Sequence, residues 1–321
     1  MTKNMTNMNF LMIMMISTMM VLSSNNIMFS WMSMEINFIA FLPMLNKSKK
    51  INDQTMKYLI IQSTSSSLML MSILTNSYLN WNMENSLLLM TSMMMKMGMM
   101  PFHMWMPNMM QMMSWENCII FSTWQKIAPM ILISQMIKMN TIMPIMCLNL
   151  LMSPMTGLKQ TSMKKIMAYS SISNSPWMIT ATKSSKLQSL YFFMTYSMLT
   201  FAAMNLFKKN NLMFLNQLKQ LNHMQKMVML MTILSMSGMP PLLGFFPKWM
   251  VIQSMTTMSI QMSMSMIISS MLSTFMYMKM IYPTMTNFFT SKKTKIKQKT
   301  TLMHISLNLM GIPSMMILKM N

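Results

Sequence analysis

The sequence predicts an all-α polytopic membrane protein, and three observations carry that expectation. Only 9% of its 321 residues are charged while 53% are hydrophobic; a soluble domain carries about 25% charged residues, so this chain has too little polar surface to cover itself in water. Apolar runs of about 20 residues, the length that crosses a bilayer, recur from end to end and alternate with lysine-bearing loops. Two of these runs are interrupted by glycine and proline beside a lysine, a pattern tolerated at membrane depth only where protein or water satisfies the backbone.

About eleven spans follow. The first covers about Thr6 to Ser24 and the second about Ile27 to Leu45, with Glu35 a little under halfway along it. A basic loop with Lys47, Lys49 and Lys50 leads to a third span ending near Leu74, which carries Gln62 and the hydroxyl run Ser63 to Ser67. Such hydroxyls bond to the preceding turn or across helices. The fourth is the long run from Ser86 to Met113, broken near Gly98–Pro101 because proline removes a backbone bond and clashes with the turn before it. The fifth, about Ser114 to Gln135, holds Lys126, and the sixth covers about Thr141 to Gly157.

The seventh span runs from Ser162 to Thr182 and the eighth from Leu187 to Phe207, before a polar loop with Lys208, Lys209, Lys219 and Lys226. The ninth, from Met227 through Gly238-Met239-Pro240-Pro241 to Pro247-Lys248-Trp249, cannot be one straight helix. The tenth covers about Met258 to Tyr282. A basic loop from Lys292 to Lys299 precedes the eleventh, about Leu302 to Leu318. The broken run with a nearby lysine thus occurs early and again late, as in transporters built from inverted repeats. The whole chain, 1–321, is expected to be a single transmembrane domain.

An odd number of spans places the termini on opposite sides. All 25 basic residues are lysine, and most then fall on the N-terminal side, with Lys138, Lys183, Lys186 and Lys319 opposite. By the positive-inside rule the N-terminus faces a matrix-like compartment. The net charge of +21 is not a nucleic-acid signature, because arginine, the usual bidentate reader of phosphate and base, is absent. The 65 methionines beside 5 glycines indicate an AT-rich genome read with a mitochondrial code, with methionine standing in as flexible apolar filler. No Arg-rich presequence precedes the first span, as expected of a chain made inside the organelle. Cys118 and Cys147 suggest neither a disulfide framework nor a metal site, and no Gly-rich phosphate loop or nucleophile triad is present.

The candidate chemistry lies with buried charge. An ionised group at the bilayer centre costs roughly 3 kcal/mol on insertion scales, so each needs a partner, a hydrated cavity or a change of protonation. Glu35 reads as a proton-carrying acid paired with Lys96, against the alternative of a pair that only locks two helices. Lys96, beside the Gly98–Pro101 break, lies where carbonyls and water reach it; the alternative is a lysine that snorkels to the interface. Lys126 sits near mid-membrane, too deep to snorkel. Lys248 either relays protons or caps a half-helix. His103, between Phe102 and Trp105, reads as a relay or as a packing hydrogen-bonder. Tyr169, Ser170 and Ser171 are weaker candidates for hydroxyls along water.

The runs Lys96-Met97-Gly98-Met99-Met100-Pro101-Phe102-His103-Met104-Trp105-Met106-Pro107, Thr123-Trp124-Gln125-Lys126-Ile127-Ala128-Pro129, and Gly238 to Pro241 with Gly244 to Trp249, together with Trp31 to Asn37, resemble one family: the mitochondrially encoded, antiporter-like membrane subunits of NADH–ubiquinone oxidoreductase (respiratory complex I), in the chain 2 form. The likeness runs through essentially the whole chain in order and spacing. It implies an antiporter-like fold without its first three helices, and proton pumping without redox chemistry in this chain. NADH, FMN, iron–sulfur clusters and ubiquinone are then expected in other subunits, and no cofactor or metal here. The implied partners are neighbouring antiporter-like and small membrane-arm subunits and lipids such as cardiolipin, with no nucleic acid; the implied location is the mitochondrial inner membrane. By position Glu35 and Lys96 become the charged pair, Lys126 the central relay lysine, Lys248 the terminal one, and His103 a residue on the water path. Asn174 stands where relatives carry histidine, and Ser237 and Pro176 replace common glycines. The rival readings are a cation/proton antiporter subunit without a redox partner, and a scaffold whose lysines only fix packing.

Overall fold

The computed structural model describes residues 2–45, 49–79, 87–136 and 138–286. Glu84 and the expected eleventh span lie outside them. The described residues are helical throughout, with one isolated bridge between Ser162 and Phe214. Among them, six helices are long and apolar enough to cross a membrane.

The chain divides into two compact units, Met1–Met146 and Cys147–Asn321. The first is built from α1 (Thr2–Ser23), α2 (Ile27–Leu45), α3 (Lys49–Leu79), α4 (Leu87–Met97), α5 (Trp105–Met112), α6 (Trp115–Ser122) and α7 (Ile127–Met136). α2 packs on α1 and α3, α3 carries α4 and α5, and α7 closes against α1 and α4. A cluster of rings joins them. Tyr58 of α3 lies 5.6 Å from Phe38, 5.8 Å from Phe41, 5.9 Å from Trp105 and 6.1 Å from Phe121, centroid to centroid. Tilted and edge-on pairs of this kind add about 0.5–1.5 kcal/mol each beyond area burial. Trp31 Nε1 donates to Ser66 O at 3.0 Å and Asn117 Nδ2 to Met44 O at 2.7 Å, tying α2 to α3 and to α6. The hydroxyl run on α3 bonds backward into its own helix, from Ser63 to Ile60 O through Ser67 to Thr64 O.

Most of α8 (Met139–Leu158) belongs to the second unit, with α9 (Met163–Ser184), α10 (Lys186–Lys209), α11 (His223–Ser237), α12 (Phe245–Met258) and α13 (Ile260–Thr286). α9 is its centre: α10, α12 and α13 all pack on it, and it is buried on nearly every face. That explains why α9 is not among the six apolar spans. A helix covered by protein on all sides need not be apolar toward lipid, and its serines are satisfied at home, Ser170 on Met167 O and Ser171 on Ala168 O. Pro176 has no N–H for the carbonyl of Ile172, and Asn149 Nδ2 of α8 supplies the missing donor at 3.0 Å. Lys279 of α13 donates to Leu158 O and Gln160 O just past the end of α8, a cation at a helix C-terminus where the dipole favours it.

Both Gly-Pro runs end a helix in the same way. Gly98 follows α4 at φ +65° and Gly238 follows α11 at φ +82°, a left-handed conformation that only glycine adopts without penalty. Gly98 N–H donates to Met95 O and Met99 N–H to Met94 O; Gly238 N–H donates to Ser235 O and Met239 N–H to Leu234 O. Each is a Schellman closure, with proline soon afterwards to stop the chain re-entering the helix.

The stretch expected to be one continuous fifth span is interrupted. α6 ends at Ser122, residues Trp124–Lys126 form a 3₁₀ turn, and α7 begins at Ile127. Pro129 is the cause, since it offers no N–H to the Gln125 carbonyl and crowds it. Thr123 Oγ1 takes the Ile119 carbonyl at 2.7 Å.

Gly244 permits the tightest backbone approach in the second unit, because a Cβ there would run into the Ser235 carbonyl oxygen. Gly244→Ala should therefore cost at least ~2 kcal/mol as an overpacking change. Gly157→Ala, which would meet the flexible Met276 Sδ at 2.5 Å, should cost less. Thermal denaturation of the two purified variants should give Gly244→Ala the larger fall in Tm.

Candidate functional site

In the first unit, three of the five candidate residues converge. Glu35 projects from α2 and Lys96 from the last turn of α4, and Glu35 Oε1 lies 3.8 Å from Lys96 Nζ. That distance makes an ion pair but not a direct hydrogen bond. Glu35 Oε1 is itself buried and has no hydrogen-bond partner among the described residues. The Lys96 side chain is only 6% exposed and that of Glu35 22%. Lys96 also sits at the carbonyl end of α4, where the helix dipole supports a cation.

Lys126 ends the 3₁₀ turn and is 3% exposed. It shares one cavity with Lys96, lined on its polar side by Asn37, Tyr58, Gln62 and Gln125. The cavity, about 40 Å³, has room for about three waters at 10–15 Å³ each. The aromatic cluster around Tyr58 supplies its apolar wall through Phe38, Trp105 and Phe121. Two ammonium groups and several neutral polar groups thus share one small space, and the Glu35 carboxylate, which is not among its lining residues, reaches it only through Lys96.

His103 lies in the connection between α4 and α5. Its Nδ1 is 3.2 Å from the Pro101 carbonyl oxygen, and it is not among the residues lining the cavity.

Lys248 belongs to the second unit and has a site of its own. Its ammonium donates to Ser237 O, the last carbonyl of α11, at 3.0 Å. Gly238 makes room for this, since a Cβ there would lie 3.2 Å from Lys248 Nζ. A second cavity, about 30 Å³, is lined by Lys248, Asn174, Thr195, Tyr196, Thr200 and Tyr277. Tyr196 shares a hydrogen bond with Ser171, and Tyr277 with Ser170. Ser170 and Ser171 therefore meet the tyrosines of the Lys248 cavity, whereas Tyr169 is not among its lining residues.

Several residues of these sites were silent in the sequence. Tyr58, Gln125, Tyr196 and Tyr277 look like ordinary span residues until the helices pack. Gln62 and Asn37 were visible as polar residues within apolar runs, but nothing in their spacing tied them to Lys96. Lys226, which read as a loop charge, lies in α11 and is 0% exposed, and Lys164, at the start of α9, is 6% exposed. Among the described residues no group of three or more His, Cys, Asp or Glu could hold a metal ion.

Residues 24–276 match the profile of the NADH:quinone oxidoreductase/Mrp antiporter transmembrane family. The chain is 42% identical over 257 residues to NADH-ubiquinone oxidoreductase chain 2 of Locusta migratoria, covering 77% of this chain and 75% of that one. It is 32% identical over 322 residues to the same chain of Bos taurus, covering 95% and 92%. In fold it is similar to a chain of the respiratory complex I of Thermus thermophilus with bound aureothin, with a TM-score of 0.82 at 17% identity over 97% of this chain and 78% of that one. The chain belongs to the antiporter-like membrane subunits of the NADH:quinone oxidoreductase/Mrp family, and within them to the NADH–ubiquinone oxidoreductase chain 2 group.

Proposed function

We propose that this chain is a proton-conducting membrane-arm subunit of a proton-translocating NADH:ubiquinone oxidoreductase. The observation that carries the reading is that Lys96, paired with Glu35, and Lys126 line one cavity. Electron transfer takes place in other subunits, where NADH, FMN, iron–sulfur clusters and ubiquinone are bound. The conformational and electrostatic change it produces reaches this chain at Glu35. When Glu35 lies close to Lys96 it stabilises the ammonium; when it withdraws, an ammonium in an apolar bundle is costly and gives up its proton. Waters in the cavity carry that proton to Lys126. Lys248 and its tyrosine-lined cavity form the later station, with the Ser237 carbonyl holding the charged form in place. His103 serves on the entry side through its ring nitrogens.

The same reading treats 1–321 as one antiporter-like domain of about eleven spans. α4 with α5, and α11 with α12, then each count as one interrupted span, and α6 with α7 as a kinked one. The chain resides in the mitochondrial inner membrane with its N-terminus on the matrix side. It contacts neighbouring antiporter-like and small membrane-arm subunits and lipids such as cardiolipin. The family description also names Mrp antiporters, which supports a second reading: a cation/proton antiporter subunit with no redox partner. Co-purification separates the two, since only the first predicts flavin and iron–sulfur subunits migrating with this chain.

Lys126→Met keeps the volume and removes the ionisable group. The assembled complex should lose proton pumping by about a hundredfold or more, the lower end for removing a positioned acid–base group, while its subunit composition is unchanged. Full pumping by that variant, measured as acidification of reconstituted vesicles per NADH oxidised, would refute the relay. Loss of assembly without any pumping-specific defect would favour the scaffold. Glu35→Gln should lower pumping severalfold, with Lys126 still in place. A wild-type ratio of protons to electrons in that variant would separate Glu35 from the path.

A further inference from the structure

The cavity that Lys96 and Lys126 share is also lined by a pair of carboxamides bonded to each other. Gln125, the residue before Lys126 in the 3₁₀ turn, donates from Nε2 to Asn37 Oδ1 of α2 at 3.1 Å. The same Nε2 lies 3.2 Å from Met14 Sδ of α1. Asn37 is 4% exposed and Met14 1%, and both carboxamide residues line the cavity. Gln125 thus rests on two helices of the α1–α2 pair from a backbone already released from α-geometry by Pro129.

A carboxamide neither takes up nor gives up a proton near neutral pH; it only donates from nitrogen and accepts on oxygen. Two amides bonded to each other hold fixed a donor and an acceptor that water would otherwise occupy. In that state a file of waters along the cavity is interrupted. Parting the pair frees Asn37 Oδ1 and an N–H of Gln125, and each can then bind a bridging water. The cavity's volume suits the few waters such a file needs.

We propose that the Asn37–Gln125 hydrogen bond is a gate on the proton path between Lys96 and Lys126, closed while the amides are paired and opened when α2 shifts against the 3₁₀ turn. The same helix carries Glu35 two residues before Asn37, so a movement that changes the Glu35–Lys96 distance also acts on the gate. Asn37 and Gln125 are positioning residues here, with no proton bound to either. The inference rests on the relay reading above.

The test uses the whole complex reconstituted in liposomes, with two readings: passive proton conductance without NADH, and protons moved per NADH oxidised. Asn37→Ala should raise passive conductance severalfold and lower the ratio, and adding Lys126→Met to it should bring the conductance back down. Gln125→Glu keeps the volume but installs a group that can itself pass a proton, so it should also leak; it decides the matter if Asn37→Ala fails to assemble. Wild-type conductance and ratio in the assembled variants overturn the gate, as does a leak that persists with Lys126→Met. If Lys126→Met alone pumps fully, the relay itself fails. If Lys126→Met is inactive while Asn37→Ala and Gln125→Glu behave as wild type, only the gate fails.

Discussion

An ammonium group buried among apolar helices needs oxygen atoms around it, and a regular helix has none to offer because its carbonyls are already bonded. This constraint organises both halves of the chain. Each half interrupts a helix with a left-handed glycine and a following proline, exposing carbonyls at a depth where water is scarce. A lysine sits at each interruption: Lys96 in the last turn of α4 beside Glu35, and Lys248 on the terminal carbonyl of α11. Lys126 meets the same need at a third irregularity, the 3₁₀ turn that Pro129 imposes. Proline placed where it breaks a helix thus makes buried charge tolerable.

The surrounding packing keeps those irregular segments in place. In the first unit, rings from α2, α5 and α6 converge on Tyr58 of α3, so part of the wall of the Lys96–Lys126 cavity is aromatic surface. Methionine fills much of the remaining space, as suits a flexible side chain. In the second unit α9 is buried nearly all round, and its hydroxyls answer the polarity of its own backbone and of two tyrosines. The Ile172 carbonyl, deprived of a donor by Pro176, is answered by Asn149. Many hydroxyls in both units bond within their own helix, while the indole nitrogens of Trp105 and Trp124 and the Tyr191 hydroxyl are buried without a hydrogen-bond partner among the described residues.

Glu35 is the acidic partner of Lys96. Its carboxylate is close enough to Lys96 to stabilise it but too far to be locked by a direct hydrogen bond. A pair at that separation is sensitive to small helix displacements, because attraction in a poorly hydrated interior changes steeply with distance. Asn37 on the same helix meets Gln125, so a single displacement of α2 changes the Glu35–Lys96 separation and the Asn37–Gln125 hydrogen bond together.

Much of this was legible in the residues themselves. Low charge and span-length apolar runs determine the helical membrane class, because backbone groups in lipid have few other ways to be satisfied. Glycine followed by proline determines where α4 and α11 stop, and charges within apolar runs mark Glu35, Lys96, Lys126 and Lys248 as costly and therefore worth explaining. Those are local properties, readable one window at a time. Which residues share a cavity was decided only by tertiary packing: that Lys96 and Lys126 face one space while His103 does not, that Tyr58 meets four other rings, and that Gln125 reaches Asn37 88 positions away. Lys226 reads as part of the polar loop for the same reason, since a lysine near a helix start looks solvated until its neighbours cover it. Sequence spacing carries the period of one helix; contact between helices depends on crossing and rotation, which no single helix encodes.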